Sequence, residues 1–160
     1  MIILGIDPGT TRIGYGIVER TKNNQLNCIN YGIIGNPGKD REQDYKNTFK
    51  QLSDIISKYS PDVSAVEQLF FFKNQKTVIN VSEMRGVIRY TLACYNLPVY
   101  EFTPLQVKQA VSSYGRADKN QVQKMVRLIL NIKTPITSDD AADGLAIAIC
   151  CANNIIAKYK

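Results

Sequence analysis

The chain has no histidine among its 160 residues. That absence removes the Ser-His-Asp triad, the Cys-His pair and the H-E-x-x-H zinc site. Cysteine is sparse, with only Cys28, Cys94, Cys150 and Cys151. None are spaced as C-x-x-C, and Cys150 and Cys151 adjoin in an apolar stretch, so neither zinc nor a disulfide framework is expected. The four thiols read as small, buried, reduced residues. No apolar run approaches the ~20 residues that span a bilayer. Met1-Ile2-Ile3-Leu4 lacks the basic segment of a signal peptide. The expectation is a cytoplasmic protein with no membrane contact. No linker, low-complexity stretch or repeat divides the sequence, so residues 1–160 are expected to form one domain with a real core.

Net charge is +6, from 20 basic and 14 acidic side chains. It is unevenly placed. Residues 1–70 hold eight of each sign, and residues 71–160 hold twelve basic against six acidic. A one-sided basic surface favours a polyanionic partner.

Ile2–Ile6 reads as a short buried strand, followed by the turn Pro8-Gly9-Thr10-Thr11. Ile13–Val18, with glycine at alternate positions, is a second strand, and residues 26–34 a third. Short turns between them predict an antiparallel meander. Tyr45, Phe49, Leu52, Ile55, Ile56 and Tyr59 recur at steps of three and four, the mark of an amphipathic helix. Val63–Leu69 is a fourth strand. Residues 75–95 form a helix with Val78, Val81, Val87, Ile88, Leu92 and Tyr95 on one broad face. Pro98–Phe102 is a fifth strand. Thr103-Pro104 starts a helix running to about Ser113, where Gly115 breaks it. Lys119–Leu130 is another helix, and Ser138 caps a last one over 139–157. The order βββαβαβααα predicts an α/β fold: a five-stranded mixed sheet flanked by helices on both faces.

Against that background four acids stand out. Asp7 ends the first apolar run, Glu67 falls late in the fourth strand, and Asp140 and Asp143 open the apolar segment Ala141–Ile149. Acids are rarely buried unless paired or bound to metal. Strand carboxyl ends gather ligands in open α/β sheets. Two acids three apart in a first helical turn share a face. Asp139 and Asp143, four apart, compete with that pairing, and spacing alone does not decide between Asp139 and Asp140. Four like charges repel unless a cation joins them. Two Mg²⁺ ions per site, with Mn²⁺ able to substitute, suit all-carboxylate ligands, and such a pair hydrolyses phosphodiesters. Taken singly, each acid has a plainer reading, as a turn residue or a charge favoured by the helix dipole.

Phe70-Phe71-Phe72-Lys73-Asn74 follows the Glu67 strand. Three consecutive phenylalanines at a strand end do not all point into a core. Some either fill the core or project to stack on bases. Arg85 and Arg89, one turn apart, face phosphate or water. Lys108 and Lys119 either meet phosphate near the cut or are simply solvated, and an isolated lysine is more often solvated.

These residues carry a family resemblance. Ile3-Leu4-Gly5-Ile6-Asp7-Pro8-Gly9, Glu67-Gln68 with Phe70 and Lys73-Asn74, Arg85-Gly86, Gln106-Val107-Lys108-Gln109, and Asp140-Ala141-Ala142-Asp143 with Leu145-Ala146-Ile147-Ala148 occur in order. The set strongly resembles the bacterial RuvC crossover-junction endonucleases, over essentially the whole chain. The resemblance implies an RNase H-like fold. It also implies a homodimer with two sites and paired symmetric nicks in strands of like polarity at four-way (Holliday) junction DNA, leaving 5′-phosphate ends. RuvA and RuvB branch-migration proteins are implied partners. It assigns metal binding and catalysis to Asp7, Glu67, Asp140 and Asp143, favouring Asp140 over Asp139. It matches Phe70 to the aromatic that stacks at the crossover and Lys108 and Lys119 to basic residues around the cut; Phe71, a departure that makes the wedge bulkier, Lys73 and Arg85 complete the expected DNA contacts. Three rivals stand beside this reading. One is another RNase H-like nuclease with a different substrate. A second is an ATPase lobe of the sugar-kinase or heat-shock type, suggested by Gly5-Ile6-Asp7 with Gly9-Thr10-Thr11. The third is a catalytically dead junction-binding module.

Overall fold

The computed structural model describes residues 1–35, 40–68, 75–112 and 118–158. They form β1 (Ile2–Asp7), β2 (Ile13–Arg20), β3 (Leu26–Ile34), α1 (Arg41–Tyr59), β4 (Val63–Glu67), α2 (Gln75–Cys94), β5 (Val99–Phe102), α3 (Pro104–Ser112), α4 (Lys119–Ile129) and α5 (Asp139–Lys158). This is the predicted order of elements. The sheet runs β3-β2-β1-β4-β5. The first three strands make the antiparallel meander. β4 joins β1, and β5 joins β4, both in parallel.

Alternation along the strands divides the core into two layers. Ile3, Val18, Ala65 and Phe102 face α3, α4 and α5. Leu4, Ile6, Ile13, Ile17, Ile34 and Val66 face α1 and α2. α5 is apolar nearly all round from Leu145 to Ala152 and buried along that stretch, as expected of a helix enclosed by its neighbours. It lies on the backbones of β1 and β2, because the positions beneath it are glycines. A Cβ on Gly5 would stand 2.2 Å from the Gly144 carbonyl oxygen, and one on Gly14 only 1.7 Å from that of Asp140.

Some predicted faces are corrected. Phe49 and Tyr95 are 41% and 40% exposed. The inward line of α1 is Thr48, Leu52 and Ile56, spaced by fours, and Phe49 is rotated off it. Tyr95 lies past the end of α2. The inward line of α2 is Val81, Met84, Ile88 and Leu92; Met84 was not anticipated. Thr91 is buried there too, with its hydroxyl donating to the Val87 carbonyl at 2.8 Å. The four cysteines are free thiols, but only Cys150 and Cys151 are fully buried, and Cys94 is exposed. The Ser138 cap is present, with its hydroxyl accepting from the Ala141 amide at 3.4 Å. No helix among the described residues is long and apolar enough to cross a membrane. Phe70, Phe71, Phe72, Lys73, Asn74 and Gly115 lie outside the described residues.

Candidate functional site

Strand register sets the first two acids side by side. Ile6 of β1 pairs with Val66 of β4 in parallel, so Asp7 and Glu67 end neighbouring strands at the same level. Both continue the odd-numbered rows Ile3-Gly5-Asp7 and Val63-Ala65-Glu67, so both point to the α5 side. Asp7 also pairs with Gly14 of β2, the residue whose missing side chain admits the first turn of α5. The same contact that seats the helix therefore delivers Asp140 and Asp143 to the strand ends.

The electrostatics report that proximity. Burial, then the charges of Asp143 and Asp140, push the Asp7 carboxyl up to about 7. Burial, then Asp7 and Asp143, push Glu67 up to about 7. Burial lifts Asp143 to about 6 against the opposing pull of Lys119. Each carboxyl resists ionising first because it is buried and then because its neighbours are also acids. Among the described residues, no three such side chains stand close enough to hold one ion as they lie. The chemistry of the donors nonetheless suits a hard divalent cation: four carboxylates that three elements bring to one end of the sheet.

The two lysines are positioned by capped helices. Thr103 caps α3, its hydroxyl accepting from the Gln106 amide at 3.2 Å while the Gln106 side chain accepts from the Thr103 amide at 2.8 Å. Asp118 and Gln121 make the same reciprocal box at the start of α4. Lys108 on α3 lowers the pKa values of Glu67 and Asp143. Lys119, first residue of α4, lowers those of Asp7 and Asp143.

Asp139 is tied to α4, and its charge still reaches Asp143, whose carboxyl it helps to raise. The Asp139 carboxylate accepts from Gln123 Nε2 at 2.6 Å and lies 3.9 Å from Lys119 Nζ, both on α4. Arg85 is also drawn elsewhere. Its Nη2 meets Glu101 Oε1 at 2.6 Å, its side chain is 18% exposed, and Arg89 reaches the same oxygen. Both arginines clamp α2 to β5. Sequence reasoning missed Arg12, whose Nε donates to Asp140 Oδ2 at 3.1 Å. No local pattern marks that contact; only its place in the turn after Asp7 hinted at it.

Comparison with known proteins identifies the family. The family profile described as Crossover junction endodeoxyribonuclease RuvC matches residues 3–151. The protein of that name from Petrotoga mobilis is 51% identical over 154 residues, 96% of this chain and 94% of its own. That from Halothermothrix orenii is 48% identical over 155 residues, covering 96% and 93%. The fold superposes on T. thermophilus RuvC, solved in complex with a Holliday junction substrate, with a TM-score of 0.92 and 28% identity, covering 99% of this chain and 96% of that one. The yeast mitochondrial Holliday junction resolvase Ydc2 shares the fold, at a TM-score of 0.67 and 13% identity.

Proposed function

The chain belongs to the RuvC family of crossover junction endodeoxyribonucleases, and from that premise we propose that Asp7, Glu67, Asp140 and Asp143 form its metal-binding catalytic site. It is a metal-dependent endonuclease that resolves Holliday junctions, with an RNase H-like fold. The observation that supports the site assignment is geometric: Asp7 and Glu67 end adjacent strands at one level, and Gly14, the strand partner of Asp7, seats the turn of α5 that carries Asp140 and Asp143. A self-repelling carboxylate cluster is stable in its ionised form only with a cation to share.

The cation we assign is Mg²⁺, two per site, with Mn²⁺ as a substitute; when bound, such ions supply an activated water and stabilise the leaving oxygen. The chain's own residues do the rest. The carboxylates must be ionised to serve as ligands, and Lys108 and Lys119 favour that state. The same lysines, Lys108 in the middle of α3 and Lys119 at the capped start of α4, are assigned to the approaching scissile phosphate, whose gathering charge they offset. Phe70 is assigned to the crossover of the junction on the resemblance alone, and Phe71 and Lys73 are assigned to DNA contact. Arg85 supports that surface indirectly, through β5. The whole chain acts as one nuclease domain in the cytoplasm, with RuvA and RuvB as partners. The deciding experiment offers a synthetic four-way junction beside linear duplex, a flap and an RNA–DNA hybrid, with and without Mg²⁺. Paired nicks in the junction alone, only with metal, support the reading; equal cutting of the hybrid overturns it.

Lys119→Ala is expected to slow junction cleavage by about tenfold to a hundredfold, below the loss from a fully desolvated transition-state donor because Lys119 is largely exposed. Single-turnover rates check this. The loss should shrink as the pH rises, since the variant also holds Asp7 and Asp143 protonated to higher pH. A loss that grows with pH contradicts that role.

Two symmetric nicks require two sites, so the functional unit is a homodimer. Its surface is not the apolar row of α2, since Ile88 and Leu92 are buried in the core. The outward face of α1 and α2 offers a groove of about 650 Å³ lined by Tyr45, Phe49, Gly86, Val87 and Tyr90 together with the charged Lys46 and Glu83, and we assign it to the second copy. Tyr90 is 66% exposed, so Tyr90→Glu should spare the fold and at least halve the sedimenting mass at micromolar concentration. A dimer of unchanged affinity excludes this face.

A further inference from the structure

Arg12 and Asp140 are brought together from opposite ends of the chain, and their backbones have little freedom to part. Arg12 follows the turn between β1 and β2. That turn is closed so tightly that a Cβ on Gly9 would lie 1.9 Å from the Arg12 carbonyl oxygen. Its other side is pressed by the end of β3, where a Cβ on Gly35 would lie 2.3 Å from the Thr11 carbonyl oxygen. Asp140 is pinned from below by Gly14. The pair is thus held by three backbone approaches rather than by two wandering side chains.

Its side chains are nevertheless wet. Arg12 is 57% exposed and Asp140 is 37% exposed. An ion pair so exposed is weak and easily exchanged. Arg12 occupies an oxygen of the one carboxylate that the family resemblance places in the metal set yet whose side chain is tied outward. More than half of the Arg12 side chain is open to solvent, and so to an arriving anion.

We propose that Arg12 is a positioning residue that holds Asp140 in the DNA-free protein and releases it when the guanidinium passes to a DNA phosphate, so that metal loading is coupled to substrate binding. This rests on the assignment of Asp140 as a metal ligand. The exchange breaks one charge-assisted hydrogen bond and forms another of the same kind, so it is close to balanced until a cation takes the freed carboxylate. Its direction follows from linkage: whatever releases Asp140 strengthens cation binding, and bound cation strengthens the hold on DNA by the same factor.

Titration of the full-length, DNA-free protein with Mn²⁺, followed by calorimetry, tests the idea. Arg12→Gln should raise Mn²⁺ affinity by up to about fivefold, the limit set by an exposed ion pair. In EDTA, the same variant should bind a four-way junction with a salt slope reduced by about one for each site. Arg12→Lys should restore most of the slope. Unchanged or weakened Mn²⁺ affinity in Arg12→Gln overturns the latch, as does an unaltered salt slope. Asp140→Asn separates the two claims. If it lowers Mn²⁺ affinity while Arg12→Gln does not raise it, the latch alone fails. If Asp140→Asn leaves Mn²⁺ affinity intact, the carboxylate assignment fails first.

Discussion

Asp7→Asn is expected to abolish metal-dependent cutting of four-way junctions, by more than about a hundredfold, and to leave junction binding intact. Even partners outside a ligand set cost metal sites about 10–100-fold when removed, and Asp7 sits where β1, β4 and α5 meet. Asparagine keeps the shape and removes the charge, so cation binding suffers while the basic surface that meets DNA is untouched. A second signature appears in stability. The Asp7 carboxyl rises from an ordinary 3.8 to about 7 on folding. Such a group contributes stability that is complete below pH 4 and is lost as the pH rises through 7. Glu67 and Asp143 act in the same sense. The metal-free native protein should therefore lose stability between pH 4 and pH 7. Asp7→Asn should melt several degrees higher than the native protein at pH 8, with the gap closing near pH 4. Added Mg²⁺ should raise the native Tm far more than the variant's, and its effect should fade below pH 6 as the carboxyls take up protons. Undiminished cutting, or a variant less stable than native at pH 8 without metal, sinks the metal-site assignment.

What could be read in advance follows from the range of the forces involved. Strands β1 and β4 announce themselves as apolar runs that end in an acid, and the helix between β3 and β4 fixes a crossover from meander to parallel pairing. Period-two alternation then carries Asp7 and Glu67 to one face with no further information. Other features depend on contacts between distant segments. The Arg12 to Asp140 pair spans 128 positions, and Glu101 collects two arginines from α2. Neither has a local signature, because a charge on a strand or turn looks the same whether it faces water or a partner. Phe49 shows the converse error. Helical spacing counts every apolar residue on a wide arc, whereas the core accepts only the line that meets the sheet. Spacing does not choose between Asp139 and Asp140 for the same reason: both belong to the first turn, and their partners, Gln123 and Lys119 for one and Arg12 for the other, come from distant segments.

The glycines of β2 lead to the other large expected effect. Gly14→Ala should destabilise the protein by about 3 kcal/mol or more, the upper reach of overpacking costs, and should also cost metal binding in whatever folds. Gly14 has no positive φ, so alanine suits its backbone, and the clash alone sets the cost. The atom met at 1.7 Å is the Asp140 carbonyl oxygen, with the carbonyl carbon at 2.3 Å. Backbone in the first turn of a buried helix does not swing aside as a side-chain tip would. α5 must lift from β2, and the turn that carries Asp140 and Asp143 lifts with it, away from Asp7, the strand partner of Gly14. Gly32→Ala is the internal comparison. It lies on neighbouring β3 and meets only the Tyr15 ring, at 3.1 Å, which can shift by a few tenths of an ångström; its cost should stay below about 1 kcal/mol. Urea midpoints of the two variants, followed by Mn²⁺ titration at low denaturant, separate packing from ligation. Equal midpoints would mean that α5 is not seated by glycine. A Gly14→Ala protein that is destabilised yet binds Mn²⁺ with native affinity would mean that the carboxylates do not depend on that seat.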